Sequence, residues 1–361
     1  MTITPSVSTE APASPPRRRA PSESGNRGVY TQIGRFGLLA LLLIVFAGFS
    51  LAKPSEFATW RNIQTTLDQQ SPVIIGAFAA MLPLLADAFD LSVAANISLA
   101  NILVAGLTVN DHVPVAAAIV LAILASTFVG LVNGVVVERL QVNSFVATLG
   151  MATLLGGIAL AYSHSTDILS VPTSVTNLAR DHVLGLPLSV IYALAAALIV
   201  GLVLRYLPVG RKLRAVGANP RAAALTGINP GLYRIVAFTL GGTLAGVAGV
   251  VLTGQLGAAT ADGTANDLLL PIFAAVFLGS TAFTPGRQNV PGTLVAVLFL
   301  AFTSSGLVLV GAQQWESPVL NGAALILAVA LSSWALRVRA ARYRAQQLRA
   351  LDQEDEAQAA G

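Results

Sequence analysis

The chain has 361 residues, of which 55% are hydrophobic and only 11% charged, with uncharged runs longer than a soluble core accommodates, so it reads as a polytopic membrane protein. It contains no cysteine, which excludes disulfides, thiolate metal sites and cysteine nucleophiles. The formal charge of +4 is explained by the Lys/Arg bias of cytoplasmic segments in membrane proteins, and no nucleic-acid partner is expected.

Residues 1–34 are rich in Ser, Pro, Thr and Arg and lack apolar periodicity, so they are expected to form a disordered cytoplasmic tail. The first apolar run, from Arg35 to Ala52, has no small-residue cleavage site and reads as a retained span. At roughly 20 apolar residues per span, helices are expected at 35–52, 68–88, 91–109, 113–137, 144–163, 187–207, 233–256, 268–283, 290–310 and 317–336. About ten spans return the C-terminus to the cytoplasm. The eighth is short and contains glycine, and the boundary between the second and third carries two acids, so both are expected to be broken or re-entrant. Of the 21 Lys and Arg residues, only Lys53, Arg61 and Arg180 fall outside in this topology. The outer loop from Ser163 to Leu186 fits either a mobile rim or a docking surface. Residues 337–361 form a charged cytoplasmic tail, basic and then acidic.

The stretch from Gly210 to Arg234 is different in kind: a basic, soluble-looking insert between two spans. Asn219 suits an N-cap, Pro220 suits the first helical position, and Gly227 suits a left-handed stop. The enclosed helix, Pro220 to Thr226, has about two turns and is marginal alone in water, so it needs docking to something. Asn229-Pro230-Gly231 forms a second break before the next apolar run.

Chemistry is sparse. No Walker A sequence occurs, and the only lysines are Lys53 and Lys212, so the chain does not hydrolyse ATP. There is no His/Asp/Glu cluster at metal-ligand spacing and no intramembrane ionisable relay. The acids that need a reason are Asp87 and Asp90, since a carboxylate near the bilayer centre costs about 2.5–3.5 kcal/mol. Two reasons stand: Asp90 caps the next helix through its first N–H groups, or a broken helix lines a path. Asn96, Ser98, Asn101, Asn133 and Thr148 lie inside spans, where interhelical hydrogen bonds and substrate contact are both open to them. Gly130 and Gly134, and Gly242, Gly246 and Gly249, read as packing devices.

Four stretches in order, within Gly37 to Trp334, carry a family resemblance. Asp87-Ala88-Phe89-Asp90-Leu91-Ser92-Val93 resembles a Gly-Gly-Ile-Asp-Leu-Ser-Val-Gly motif, with Asp87, Ala88 and Ala94 replacing its glycines. Val142 to Met151 resembles Val-Pro-Ser-Phe-Ile-Ala-Thr-Leu-Gly-Met, with Asn143 at the proline. Gly210, Arg211, Ala215, Gly217, Asn219, Ala222, Ala223, Gly227 and Ile228 resemble a cytoplasmic loop that meets an ATPase subunit. Leu278 to Arg287, with Gly292-Thr293-Leu294, resembles a Gly-Gly-Thr-Ser-Leu run and glycine cluster; Ser280, Pro285 and Gln288 depart from it. The family is the permease subunits of bacterial ABC-type simple-sugar importers, of the ribose, xylose and galactose type, relatives of branched-chain amino acid permeases.

This resemblance implies an all-α inner-membrane permease domain over 35–336, built from two divergent repeat halves in which Asp90 corresponds to Ala282. It implies a coupling loop at 208–232 with Gly217, Asn219, Pro220, Arg221, Ala222, Ala223 and Gly227 facing the ATPase. Asp90, Ser92, Asn96, Asn133, Ser144, Thr148 and Thr281 are the candidates for a translocation path. The implied partners are ABC ATPase subunits, which would bring ATP and Mg while this chain binds no cofactor. A periplasmic or lipid-anchored sugar-binding protein and a second permease copy, in a homodimer or heterodimer, complete the set. The expected activity is sugar import by alternating access, without enzymatic chemistry in this chain. The alternatives are a branched-chain amino acid permease or an ATPase-independent transporter or channel.

Overall fold

The computed structural model describes residues 24–261, 267–313 and 315–330. The chain is helical: α1 (Ser24–Ala52), α2 (Trp60–Leu85), α3 (Val93–Val109), α4 (Val115–Arg139), α5 (Ser144–Tyr162), α6 (Thr173–Arg180), α7 (Leu188–Tyr206), α8 (Pro208–Ala218), α9 (Pro220–Leu225), α10 (Pro230–Leu256), α11 (Leu269–Gly279), α12 (Val290–Leu309) and α13 (Glu316–Ala330). A helix occupies each of the ten expected stretches. Five of them, α4, α5, α7, α10 and α12, are each long and apolar enough to cross a membrane.

Two differences from the sequence expectation have physical causes. α1 begins at Ser24, so residues 24–34 are helical instead of belonging to a disordered tail; extending a helix already nucleated by an apolar run is far easier than starting one. Residues 1–23 and 331–361, including the whole C-terminal tail, lie outside the described residues. The basic insert contains a second helix, α8, whose Leu213 and Val216 are fully buried at i,i+3 spacing beneath an exposed basic face. As expected of the eighth span, α11 is short, with 11 residues and about 16 Å, too short by itself for a 30 Å hydrocarbon core.

α2 and α10 form the centre. Every residue of α2 from Ser71 to Pro83 is buried, so the helix is enclosed on all sides. α10, with 27 residues and about 40 Å long, packs against α4, α2, α3 and α6. Its contact with α4 is close because small residues meet: a Cβ at Gly130 would overlap the Phe238 carbonyl oxygen, and one at Gly242 would overlap that of Ser126. The glycines read as packing devices are therefore placed as such. α5 is the opposite case, with only Thr148, Leu155 and Ala159 buried.

One end of the bundle carries the segment between α2 and α3, the α8–α9 insert, and the segment between α11 and α12. The other end carries a packed cap. There β1 (Ile168–Leu169) pairs antiparallel with β4 (Ala258–Ala259), β2 (His182–Val183) pairs with β3 (Leu186–Pro187), and α6 lies on α10 with Ala179 against Gly254. Arg180 donates to the Gln255 carbonyl, and Ser189 and Gln255 both donate to Asp68. The loop from Ser163 to Leu186 is thus a platform tied to α10 by strand pairing, helix packing and hydrogen bonds.

Candidate translocation and coupling site

The site begins where α2 stops. Asp87 takes a left-handed conformation, φ 60°, which Asp adopts more readily than most side chains. The turn that glycines support in the resembled motif is therefore made here without them. Asp90 follows, 4% exposed, and its Oδ1 accepts from the Ser92 N–H at 3.0 Å and the Ser92 hydroxyl at 2.6 Å. This corrects the capping expectation: Asp90 closes a local turn onto Ser92, the residue preceding α3, and both hydrogen bonds of its carboxylate go to Ser92 and not to the first-turn N–H groups.

The network continues into other helices. Asn133 of α4 donates to Ser92 Oγ at 2.8 Å. The Phe89 N–H donates to Ser144 Oγ at 3.1 Å, and the Leu91 N–H donates to Thr148 Oγ1 at 3.0 Å, so α5 supplies two acceptors to the broken backbone. One turn further along α3, Asn96 donates to the Ser126 carbonyl at 3.1 Å. Asn96 Oδ1, Ser126 Oγ and Asn133 Oδ1 are buried with no protein partner. Six of the seven path candidates (Asp90, Ser92, Asn96, Asn133, Ser144 and Thr148) thus gather around one break and the adjoining α3–α4 contact. Asn101 lies deeper, donating to Thr253 Oγ1 of α10 at 2.9 Å, an interhelical bond of the ordinary kind.

Thr281 stands apart from the hydrogen-bonded group. It lies in the second break, residues 280–289, and donates locally to the Leu278 carbonyl at 2.7 Å. The two breaks share an end of the bundle and approach through Phe89 and Phe277, whose ring centroids are 6.3 Å apart.

The insert is built as its local sequence dictates. Asn219 Oδ1 accepts from the Ala222 N–H at 3.0 Å, Pro220 opens α9, and Gly227 has φ 80°. Arg221, Ala222 and Gly227 are exposed, while Ala223 is buried and pins the helix to the bundle. Gly217 lies on the end of α2, where a Cβ would overlap the Leu85 carbonyl oxygen. Asn143 and Asn229 repeat the capping device at α5 and α10, accepting from the Phe145 and Leu232 N–H groups.

Sequence reading missed the ion pair beside this insert. Arg234 donates to Glu138 Oε2 at 3.2 Å and, through Nε, to the Ala86 carbonyl at 3.3 Å. The available signal was Glu138, an acid at the end of an apolar run, with Arg234 five positions into another.

Over residues 62–329 the sequence matches the family described as branched-chain amino acid transport system / permease component. This chain belongs to that family. The permease is 33% identical to the ribose import permease protein RbsC of Bacillus subtilis over 308 residues, covering 84% of this chain and 93% of that one. It is 31% identical to the L-arabinose ABC transporter permease protein AraH of Azospirillum brasilense, covering 90% and 93%, and 29% identical to the D-allose transport system permease protein AlsC of Escherichia coli, covering 84% and 91%. No solved structure matches the permease at a significant level.

Proposed function

We propose that this permease is the membrane subunit of an ATP-binding-cassette importer that carries a simple sugar inward across the bacterial inner membrane. About ten apolar segments, with α11 as part of a broken span, carry the chain across the bilayer with both termini and the α8–α9 insert in the cytoplasm, and the two breaks mark two divergent halves. Two copies, or this chain and a second permease, form the pathway, with the sugar path passing along the break at 86–92 and its polar network. A binding protein delivers the sugar to the platform at 163–187. ATPase subunits grip α9 from inside, and their ATP cycle moves the pair between outward and inward openings.

The observation that carries this reading is α9 itself. A six-residue helix capped at both ends, exposed on its Arg221 face and seated by Ala223 against the bundle, where it packs on α8 and α10, is a handle for a partner that supplies force. The relatives' names support a sugar, and the Lys/Arg distribution supports the orientation. The family's own description favours a second reading, a branched-chain amino acid as cargo.

Both are tested in vesicles containing the permease, its ATPase and its binding protein, supplied with labelled ribose, arabinose, allose and leucine. Uptake of one sugar that requires ATP is expected; uptake of leucine alone would select the second reading. Arg221→Glu is expected to weaken ATPase copurification about tenfold while membrane insertion is unchanged. Undiminished copurification and coupled uptake would remove α9 from the motor interface.

A further inference from the structure

The contacts around the end of α2 form a bracket. From one side α8 presses Gly217 onto the Leu85 carbonyl, with no room for a side chain between them. From the other side the fifth residue of α10, Arg234, donates to the next carbonyl, that of Ala86. Lys212 of α8 lies over the Tyr233 ring of α10, 5.2 Å from its centroid, and joins the two arms. α9 is the segment between them, joined to α8 through the single residue Asn219 and to α10 through residues 226–229.

Arg234 is the member that also reaches a third helix. Its guanidinium pairs with Glu138, the penultimate residue of α4, and the two side chains are 23% and 20% exposed. The Glu138 carboxylate lies directly on the α10 backbone at Gly231, where any Cβ would collide with it. α4 is the helix that supplies Asn133, less than two turns earlier, to Ser92 in the broken segment. The planar fork of Arg234 therefore holds the two structures flanking residues 87–92: the Ala86 carbonyl directly, and the Ser92 side through Glu138 and α4. Its donor geometry suits this double role, which an ammonium group would fill less well.

We propose that Arg234, positioned by Glu138, is the relay through which displacement of α9 reaches the break at 86–92. Arg234 acts here through the Ala86 carbonyl and Glu138, as a positioning residue for coupling. The inference rests on α9 being the motor contact, as proposed above. The competing explanation is an ordinary ion pair that holds two helix ends together, which contributes to stability and has no effect on coupling.

The test separates these possibilities in the full complex in vesicles, measuring sugar taken up per ATP hydrolysed, ATPase copurification, and the thermal midpoint in detergent. Arg234→Gln is expected to lower uptake per ATP by about 2- to 30-fold while copurification stays at the wild-type level. Arg234→Lys, which retains the charge beside Glu138 but not the planar fork, is expected to fold normally and still show a reduced ratio. Glu138→Gln is expected to have the smaller effect, since the bond to Ala86 remains. A lowered thermal midpoint with an unchanged ratio in Arg234→Gln and Arg234→Lys would overturn the relay and leave a structural ion pair. If Arg234→Gln does not fold, the ratio for Arg234→Lys decides alone. Failure of the ATPase to copurify with the wild-type permease would instead overturn the motor contact at α9.

Discussion

The two breaks at one end of the bundle are held in opposite ways. In the second, Asn289 does most of the work within its own neighbourhood: its amide donates to the carbonyls of Gly279, Ala282 and Arg287 at 3.3, 3.0 and 3.1 Å, and its oxygen accepts from the Gly292 N–H at 2.8 Å. One side chain ties the two ends of the elbow between α11 and α12, while Phe283 within it meets Phe36 of α1, ring centroids 5.9 Å apart. In the first break, the backbone of Phe89 and Leu91 is held by α5, the side chain of Ser92 by α4, and the carbonyl of Ala86 by α10. A break whose backbone and side chains are hydrogen-bonded by three other helices is sensitive to the movement of each of them. In the proposed cycle residues 86–92 are therefore expected to change shape more than residues 280–289.

The comparison can be attacked at three points. Gly217→Val places a branched side chain against the Leu85 carbonyl and forces α8 off the end of α2. A loss of about 3 kcal/mol is expected, at the upper end for overpacking, read as a drop in thermal midpoint together with loss of ATP-dependent uptake. Asn289→Ala removes a helix cap and leaves the buried Gly292 N–H without its acceptor, so about 2 kcal/mol of stability should be lost. Uptake per folded molecule should stay unchanged, and a fall in that ratio would mean the second break is not the steadier one. Thr148→Val keeps the volume but leaves the Leu91 N–H without its acceptor, an expected loss of about 1 kcal/mol. In this case uptake per folded molecule should fall, which would sharpen the contrast with Asn289→Ala.

What was legible in the sequence depended on distance along the chain. The caps of α9 were readable because Asn219, Pro220 and Gly227 act within one or two turns, through rules of backbone geometry that need no tertiary information. The apolar stretches were readable because lipid demands long runs of one composition. The gathering of Ser144 and Thr148 at Asp90 and Ser92 was supplied by the resembled motifs, since nothing in the local pattern places α5 beside that break. The pair Glu138–Arg234 joins positions on helices separated by the whole outer platform, and the charge of Arg234 was fully accounted for as an orientation signal. Glu138 went unread for want of a visible partner. α8 was hidden for a related reason: with Leu213 and Val216 as its buried pair, its apolar stripe is too short to stand out among Arg211, Lys212 and Arg214.

The pairing of β1 with β4 has a practical bearing on experiments that cut the chain. Ile168 and Leu169 hydrogen-bond with Ala259 and Ala258, α6 lies on Gly254, and Arg180 holds the Gln255 carbonyl. A reporter fused at any point before residue 254 therefore interrogates a polypeptide whose platform lacks its floor as well as its strand partner. Such fusions still reveal on which side of the membrane a junction lies, because that depends on span order and charge. Accessibility of the 163–187 segment to proteases, labels or antibodies is another matter, and truncated chains would systematically overstate it; only fusions beyond residue 259 present that surface in its native form.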